Sequence, residues 1–157
     1  MPLALQVTLA RPSDADDMAD MSRRLIEHGL PWTWTPRRVS RAISAPNTNV
    51  AVVRDRDAIG GFAIMEHLEN DAHLVLLAVE PWCRRQGLGR ALVLWLEASA
   101  RVDGATRVCL ETRRDNDSAR HFYNELGYHE VRIQRRRYGG RFDGIRLEKW
   151  LRTSRGV

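Results

Sequence analysis

Apolar positions follow a helical period in some stretches of the chain and read as strands in others. Leu88, Leu92, Trp95 and Leu96 recur at the i, i+4, i+7, i+8 spacing of one helical face. That helix follows an apolar run, His73 to Val79, which reads as a buried strand. A strand is expected at Leu5 to Ala10, then a helix capped by Ser13-Asp14 that runs to about His28 and stops at Gly29. Thr35 before Pro36 is an N-cap and first-turn pair, so a second helix spans Pro36 to about Ser44. Val50 to Arg54 and Gly61 to Leu68 read as strands about the turn region Asp55-Arg56-Asp57, continuing to the strand that ends at Val79 as an antiparallel meander. Thr106 to Thr112 is the next strand, and Asn116-Asp117-Ser118 caps a helix that ends at Gly127. Tyr128 to Arg137 and Gly144 to Leu151 form a last hairpin around Tyr138-Gly139-Gly140.

The junction between the run ending at Val79 and the helix at Leu88 carries chemistry. It reads Glu80-Pro81-Trp82-Cys83-Arg84-Arg85-Gln86-Gly87-Leu88-Gly89-Arg90. First-turn N–H groups of a helix lack intrahelical partners and sit at the positive end of its dipole, so an anion there is stabilised. Gly87 and Gly89 allow close approach to the backbone, and Arg84, Arg85 and Arg90 add charge. Leu92, not Gly, stands three residues after Gly89, so G-x-G-x-x-G is absent, as is G-x-x-x-x-G-K-[ST]. Dinucleotide and P-loop readings lose ground accordingly.

What remains, Arg84-x-x-Gly87-x-Gly89, resembles the R/Q-x-x-G-x-G/A pyrophosphate motif of the GNAT superfamily of acetyl-CoA-dependent N-acetyltransferases. Asn116-x-x-Ala119-x-x-x-Tyr123-x-x-x-Gly127-Tyr128 is similar to that family's second signature at every named position. Ala119 and Tyr123 share one helix face, and Phe122 and Leu126 share a neighbouring face directed to the core. The resemblance implies an α/β (α+β) fold: a mixed, mostly antiparallel sheet of about seven strands, strands four and five splayed, helices on both faces. It is most specific between Leu76 and Tyr128, and its pattern is nearest to bacterial ribosomal-protein N-terminal acetyltransferases.

By this resemblance acetyl-CoA lies between the splayed strands, its pantetheine against backbone at Leu77, Ala78 and Val79, with the Val79 N–H polarising the thioester carbonyl. Its pyrophosphate rests on Arg84, Arg85, Gln86, Gly87, Leu88, Gly89 and Arg90, and Asn116 and Ala119 approach from the other side. The acceptor is a primary amine of a peptide N-terminus, a lysine or a small metabolite. Tyr123 is the expected general acid, and Glu111, on the fifth strand, the expected general base, because Leu110-Glu111-Thr112 sits where the resembled bacterial N-terminal acetyltransferases carry a catalytic glutamate. A carboxylate inside an apolar strand is also costly unless paired or used. A glutamate salt-bridged to an arginine is the competing reading of Glu111, and Glu80 is the alternative base. Trp32 and Trp34 either wall the acceptor pocket or pack between the first two helices.

Composition narrows the alternatives. A chain of 157 residues is expected to be one domain, residues 1–157. Its net charge of +5 is nearly all arginine, Lys149 being the only lysine, and is dense at Arg132, Arg135, Arg136, Arg137, Arg141 and Arg146. Nucleic-acid contact, an edge strand protected by charge and high arginine usage compete to explain it, and the last two are favoured. Two cysteines form neither a disulfide framework nor a metal spacing, and the five histidines lack H-E-x-x-H, so no metal is expected. Cys83 has no sequence-evident His partner for an acetyl-cysteine route. With no membrane-length apolar run and no secretory h-region, a soluble cytoplasmic protein is expected, and a homodimer is an arrangement such a domain can take. A non-catalytic acetyl-CoA sensor and an RNA- or ribosome-associated module stand as the other function classes.

Overall fold

A computed structural model describes residues 5–84 and 86–151. Seven strands make one sheet: β1 (Val7–Leu9), β2 (Thr48–Asp55), β3 (Ala58–Leu68), β4 (Asp71–Val79), β5 (Arg107–Arg113), β6 (His129–Tyr138) and β7 (Phe142–Trp150), in spatial order β1-β2-β3-β4-β5-β7-β6. Every neighbouring pair is antiparallel except β4 and β5, which are parallel. Four α-helices cover the sheet: α1 (Ala15–Met21), α2 (Pro36–Ser44), α3 (Leu88–Val102) and α4 (Asp117–Glu125). The chain order and the mixed sheet agree with the reading from sequence.

Each face of the sheet has its own apolar cluster. Met18, Ala19, Met21, Trp34 and Val39 pack on Val50, Val52, Phe62 and Ile64. On the opposite face Leu88, Leu92, Val93 and Leu96 of α3, with Tyr123 and Leu126, pack on Ala51, Met65, Leu74, Val108, Leu110 and Leu147. The helical face expected at Leu88, Leu92 and Leu96 is therefore core, while Trp95 is only partly buried beside it. Leu126 is buried as expected and Phe122 partly so.

The first helix departs from expectation. Instead of one helix from Ser13 to His28, a 3-10 turn (Pro12–Asp14) leads into α1, and a π-type turn (Ser22–Ile26) follows it. Asp14 does not cap α1, because its carboxylate accepts the Arg11 N–H at 2.7 Å and pairs with Arg54 at 2.8 Å. In the π turn the Glu27 N–H donates to the Ser22 carbonyl, five residues back, at 2.7 Å. Thr35 does cap α2, its side-chain oxygen accepting the Arg38 N–H at 3.3 Å. Asn116 caps α4 by accepting the Ala119 N–H at 3.1 Å.

One buried charge ties α3 to the sheet. Glu97 is fully buried and accepts the Tyr128 hydroxyl at 2.8 Å and the Lys149 ammonium at 2.9 Å. Removing a single partner of a buried ion pair strands the other charge. Lys149→Met should lower unfolding stability by about 3 kcal/mol, read as a lower urea midpoint at unchanged slope.

Candidate active site

The site begins where the parallel pairing ends. β4 pairs with β5 only from Asp71↔Arg107 to Leu74↔Leu110; beyond that β4 stays with β3 and β5 with β7. Ile64 faces Leu76 while Met65 faces Leu74, so Val75 is an extra residue in β4. Such a bulge bends its strand. It also shifts the phase: Ala72 and Leu74 belong to the α3 side of the core, whereas Leu76 and Ala78 belong to the α1/α2 side. The Glu80 N–H donates to the Gly60 carbonyl at 2.8 Å, on the β3 side. By strand alternation Ala78 also turns its backbone groups to β3, and Leu77 and Val79 turn theirs into the gap between β4 and β5. A partly buried edge with unpaired backbone donors needs a partner, and an extended amide-bearing chain supplies one.

At the end of that edge the chain turns into α3. Gly87 takes φ +74° and precedes the first helical residue, Leu88. This left-handed conformation favours glycine over residues with a Cβ, and α3 follows with free first-turn N–H groups suited to phosphate. Gly89 has a packing reason as well, since a Cβ there would stand 3.2 Å from the Phe122 ring. Gln86 and Arg90 are exposed at this turn, and the Arg84 guanidinium donates to the Val79 carbonyl at 3.4 Å. Arg85 lies outside the described residues.

A cavity of about 430 Å³ occupies the gap. Its walls are Leu74, Val75, Leu76 and Leu77 of β4, Leu110, Glu111, Thr112 and Arg113 of β5, and Asn116, Ala119 and Tyr123 at α4. Its remaining wall comes from two connections, Leu25 to Trp34 and the tip of the β6–β7 hairpin at Arg137, Tyr138 and Gly139. These meet: a Cβ built on Gly139 would be 3.4 Å from Leu30.

Glu111 and Tyr123 both line this cavity. Glu111 holds three partners: His73 Nε2 at 2.8 Å, Arg146 at 3.2 Å and Arg137 at 3.3 Å. Burial pushes its carboxyl up, but the His73 hydrogen bond and the charges of His73, Arg137 and Arg146 outweigh that and hold it below the usual carboxylate range. Glu111 is therefore ionised at neutral pH, and His73 Nε2 is the donor. The arginine pairing that competes with the base reading of Glu111 is present, and the same carboxylate lines the cavity. Tyr123 packs edge-on against Phe122 and Tyr128, and burial holds its phenol above its ordinary value. It stays protonated at neutral pH.

Residues 16–128 match the model of the acetyltransferase (GNAT) family. The chain is 32% identical over 124 residues to the ribosomal protein bS18-alanine N-acetyltransferase of Escherichia coli K12, covering 75% of this chain and 80% of that one. It is 29% identical over 141 residues to an N-alpha-acetyltransferase of Sulfurisphaera tokodaii, covering 82% and 83%. The crystal structure of the Escherichia coli ribosomal-protein-S18-alanine enzyme superposes with a TM-score of 0.83 at 25% identity over 96% of each chain. The chain belongs to the acetyltransferase (GNAT) family. Acetyl-CoA is its acetyl donor and an amine its acceptor.

Other candidates in this acetyltransferase lie in different surroundings. Glu80 does not line the cavity; its carboxylate takes a two-bond pairing from Arg24 at 2.9 and 3.3 Å, tying the π turn to the end of β4. Cys83 is buried against Gly60, and burial pushes its thiol up, which opposes a nucleophilic role. Trp34 is buried, lines the cavity and carries the Arg38 guanidinium 3.8 Å above its ring. Trp32 lies outside the lining, half-exposed beneath Arg23, with its indole N–H donating to the Ala19 carbonyl at 3.2 Å. No group of His, Cys, Asp and Glu among the described residues could hold a metal ion, and no described helix is long and apolar enough to cross a membrane.

Sequence reasoning missed His73, Arg137, Arg146 and Glu27. The first three act through pairings across strands far apart in sequence. Glu27 is buried and accepts from Ser22 Oγ at 2.9 Å, from the Thr33 N–H at 2.7 Å, from Thr33 Oγ1 at 2.5 Å and from the Trp34 N–H at 3.1 Å. It thereby fastens the Leu30–Trp34 wall.

The depressed Glu111 value has a consequence for stability. Ionised Glu111 contributes fully above its unfolded value of about 4.5, and the contribution fades as pH falls through the lower folded value. Glu111→Gln should show its largest urea-unfolding deficit above about pH 5 and converge on the parent protein in stronger acid. A deficit independent of pH would show that ion pairing is not what holds this carboxylate.

Proposed function

We propose that this acetyltransferase modifies the α-amine at the N-terminus of a protein, with Glu111 as general base and Tyr123 as general acid. The observation that carries the reading is that Glu111 on β5 and Tyr123 on α4 enter one cavity that the Leu30 and Gly139 connections close over. A slender terminal amine reaches such a site end-on. The named acceptors of the relatives, the alanine of ribosomal protein bS18 and protein α-amines, support the same class, and such acceptors are met in the cytoplasm.

The sequence of events follows from the charges. Acetyl-CoA lies along the open β4 edge, its thioester carbonyl accepting from the Val79 N–H and its pyrophosphate resting at the first turn of α3 with Arg84, Gln86, Gly87, Leu88, Gly89 and Arg90 around it, while Asn116 approaches the cofactor from the other side. Ala119, beside the thioester path, leaves room for the pantetheine. A backbone donor aimed at a developing oxyanion is worth about 2–4 kcal/mol. The acceptor arrives as an ammonium and attacks only when neutral; Glu111 takes its proton through a water. The N–C bond forms, the C–S bond breaks, and Tyr123 protonates the departing thiolate.

Thiol release from acetyl-CoA, followed across alanine-initiated peptides, spermidine and an aminoglycoside, tests the assignment. Peptides should be the acceptors, and Tyr123→Phe and Glu111→Gln should each lower kcat by about 10²-fold. Because Glu111 is ionised well below neutrality, kcat/KM should rise with pH through about 8, the range of a terminal amine, and not through the carboxylate range. Turnover of small amines alone, or undiminished kcat in Tyr123→Phe, would overturn the reading.

A further inference from the structure

The β6–β7 hairpin contains a costly irregularity next to the cavity. Gln134 faces Gly144 and Tyr138 faces Phe142, so Arg135, Arg136 and Arg137 oppose Asp143 alone. Arg136 is held at φ +51°, a left-handed conformation unfavourable for a residue with a long side chain. Its N–H donates to the Asp143 carboxylate at 3.0 Å, and the other Asp143 oxygen pairs with Arg114 at 3.5 Å. Gly144 leaves the space this needs: a Cβ there would stand 3.0 Å from Arg137 Cδ and 3.1 Å from the Tyr138 ring. Bulges re-aim side chains, and strain of this kind gathers at functional sites. The side chain aimed here is Arg137.

Glu111 has two partners besides Arg137. Arg146 already pairs with one Glu111 oxygen at 3.2 Å and His73 with the other at 2.8 Å. Arg137 adds a third, longer contact at 3.3 Å while its side chain remains 45% exposed at the cavity wall. Arg113, the neighbouring cation of the lining, is occupied by Asp115 at 2.6 Å. Arg137 thus holds spare donors beside the place where an acceptor chain passes.

We propose that Arg137 selects acceptors with a carboxylate side chain next to the reacting N-terminus, releasing Glu111 to pair with that carboxylate; the inference rests on the N-terminal acetylation proposed above. A guanidinium fork pairs with a carboxylate through two parallel hydrogen bonds, which a single 3.3 Å contact to Glu111 does not achieve. The exchange also serves the reaction. Once Glu111 accepts the amine proton it is neutral, and Arg137 keeps a counter-ion only if the acceptor provides one. An acidic acceptor therefore gains most in the transition state, where such gains raise the rate.

The test compares kcat/KM for peptides identical except for Asp, Asn or Lys at the second position, with spermidine as a non-peptide amine, in the parent enzyme, Arg137→Gln and Arg137→Glu. The parent enzyme should favour Asp over Asn by about tenfold or more, with Lys slowest; Arg137→Gln should bring Asp and Asn within about threefold, and Arg137→Glu should reverse the order of Asp and Lys. Equal use of Asp and Asn peptides by the parent enzyme overturns the inference and leaves N-terminal acetylation standing. So does an equal slowing of all peptides by Arg137→Gln, which would confine Arg137 to supporting Glu111. Spermidine turnover with no peptide turnover overturns both.

Discussion

Everything distinctive in this molecule depends on one interrupted strand pair. Among the described strands β4 and β5 are the only parallel neighbours, and they stay together for four residues, from Asp71↔Arg107 to Leu74↔Leu110. Val75, the extra residue in β4, then bends that strand away. An interrupted pair leaves unpaired peptide groups inside a protein, a costly state unless something covers them. Here each strand keeps its outer partner, β3 for β4 and β7 for β5, so the sheet survives while only the inner edges are free. The same bulge exchanges the faces of β4, sending Leu76 and Ala78 to the α1/α2 side and leaving Leu77 and Val79 with the α3 side. One inserted residue thus opens a binding edge and keeps both cores filled.

The polar side of the gap is organised by charge. Below the cavity a chain of ion pairs crosses the sheet: Asp71 to Arg107 at 2.7 Å, Arg107 to Glu148 at 3.1 Å, Glu148 to Arg146 at 2.9 Å and Arg146 to Glu111 at 3.2 Å. Register makes the chain, since Glu111 faces Arg146 and Cys109 faces Glu148 across β5 and β7. Half-buried charges that alternate in sign limit one another's desolvation cost. Part of the arginine excess is accounted for here, and β6, the outermost strand, carries exposed Arg132, Arg135 and Arg136 along a sheet edge where charge discourages pairing with another chain.

What could be read from sequence was local. The Gly87 turn, the Thr35 and Asn116 caps, the face of α3 and the spacing of Ala119 and Tyr123 each depend on residues within one or two turns of each other, and all are present. The α1 region shows the limit. Ser13-Asp14 has the composition of a cap, yet Asp14 is drawn to Arg54, forty residues away, and the helix gives way to a π turn. The bulge at Val75 leaves no compositional mark in the run Leu74 to Val79. His73, Arg137 and Arg146 each meet Glu111 only after strands separated by tens of residues come together. Gly144 reads as an ordinary turn-flanking glycine; its reason, room for Arg137, exists only in the folded hairpin.

Two carboxylates reach the same cavity, and the way each is held distinguishes their capacities. Burial raises both, and hydrogen bonding lowers both below their ordinary range. At Glu27 the donors that do so include the backbone N–H groups of Thr33 and Trp34, fixed parts of the loop it supports, together with the hydroxyls of Ser22 and Thr33. Protonating Glu27 would leave those donors without an acceptor and loosen the wall of the cavity. At Glu111 the partners are all side chains, one of them the half-exposed Arg137, and they can move when the charge changes. A group that must gain and lose a proton in each cycle needs neighbours of the second kind. That difference supports Glu111 as the base, although Glu27 lines the same space and is as strongly hydrogen-bonded.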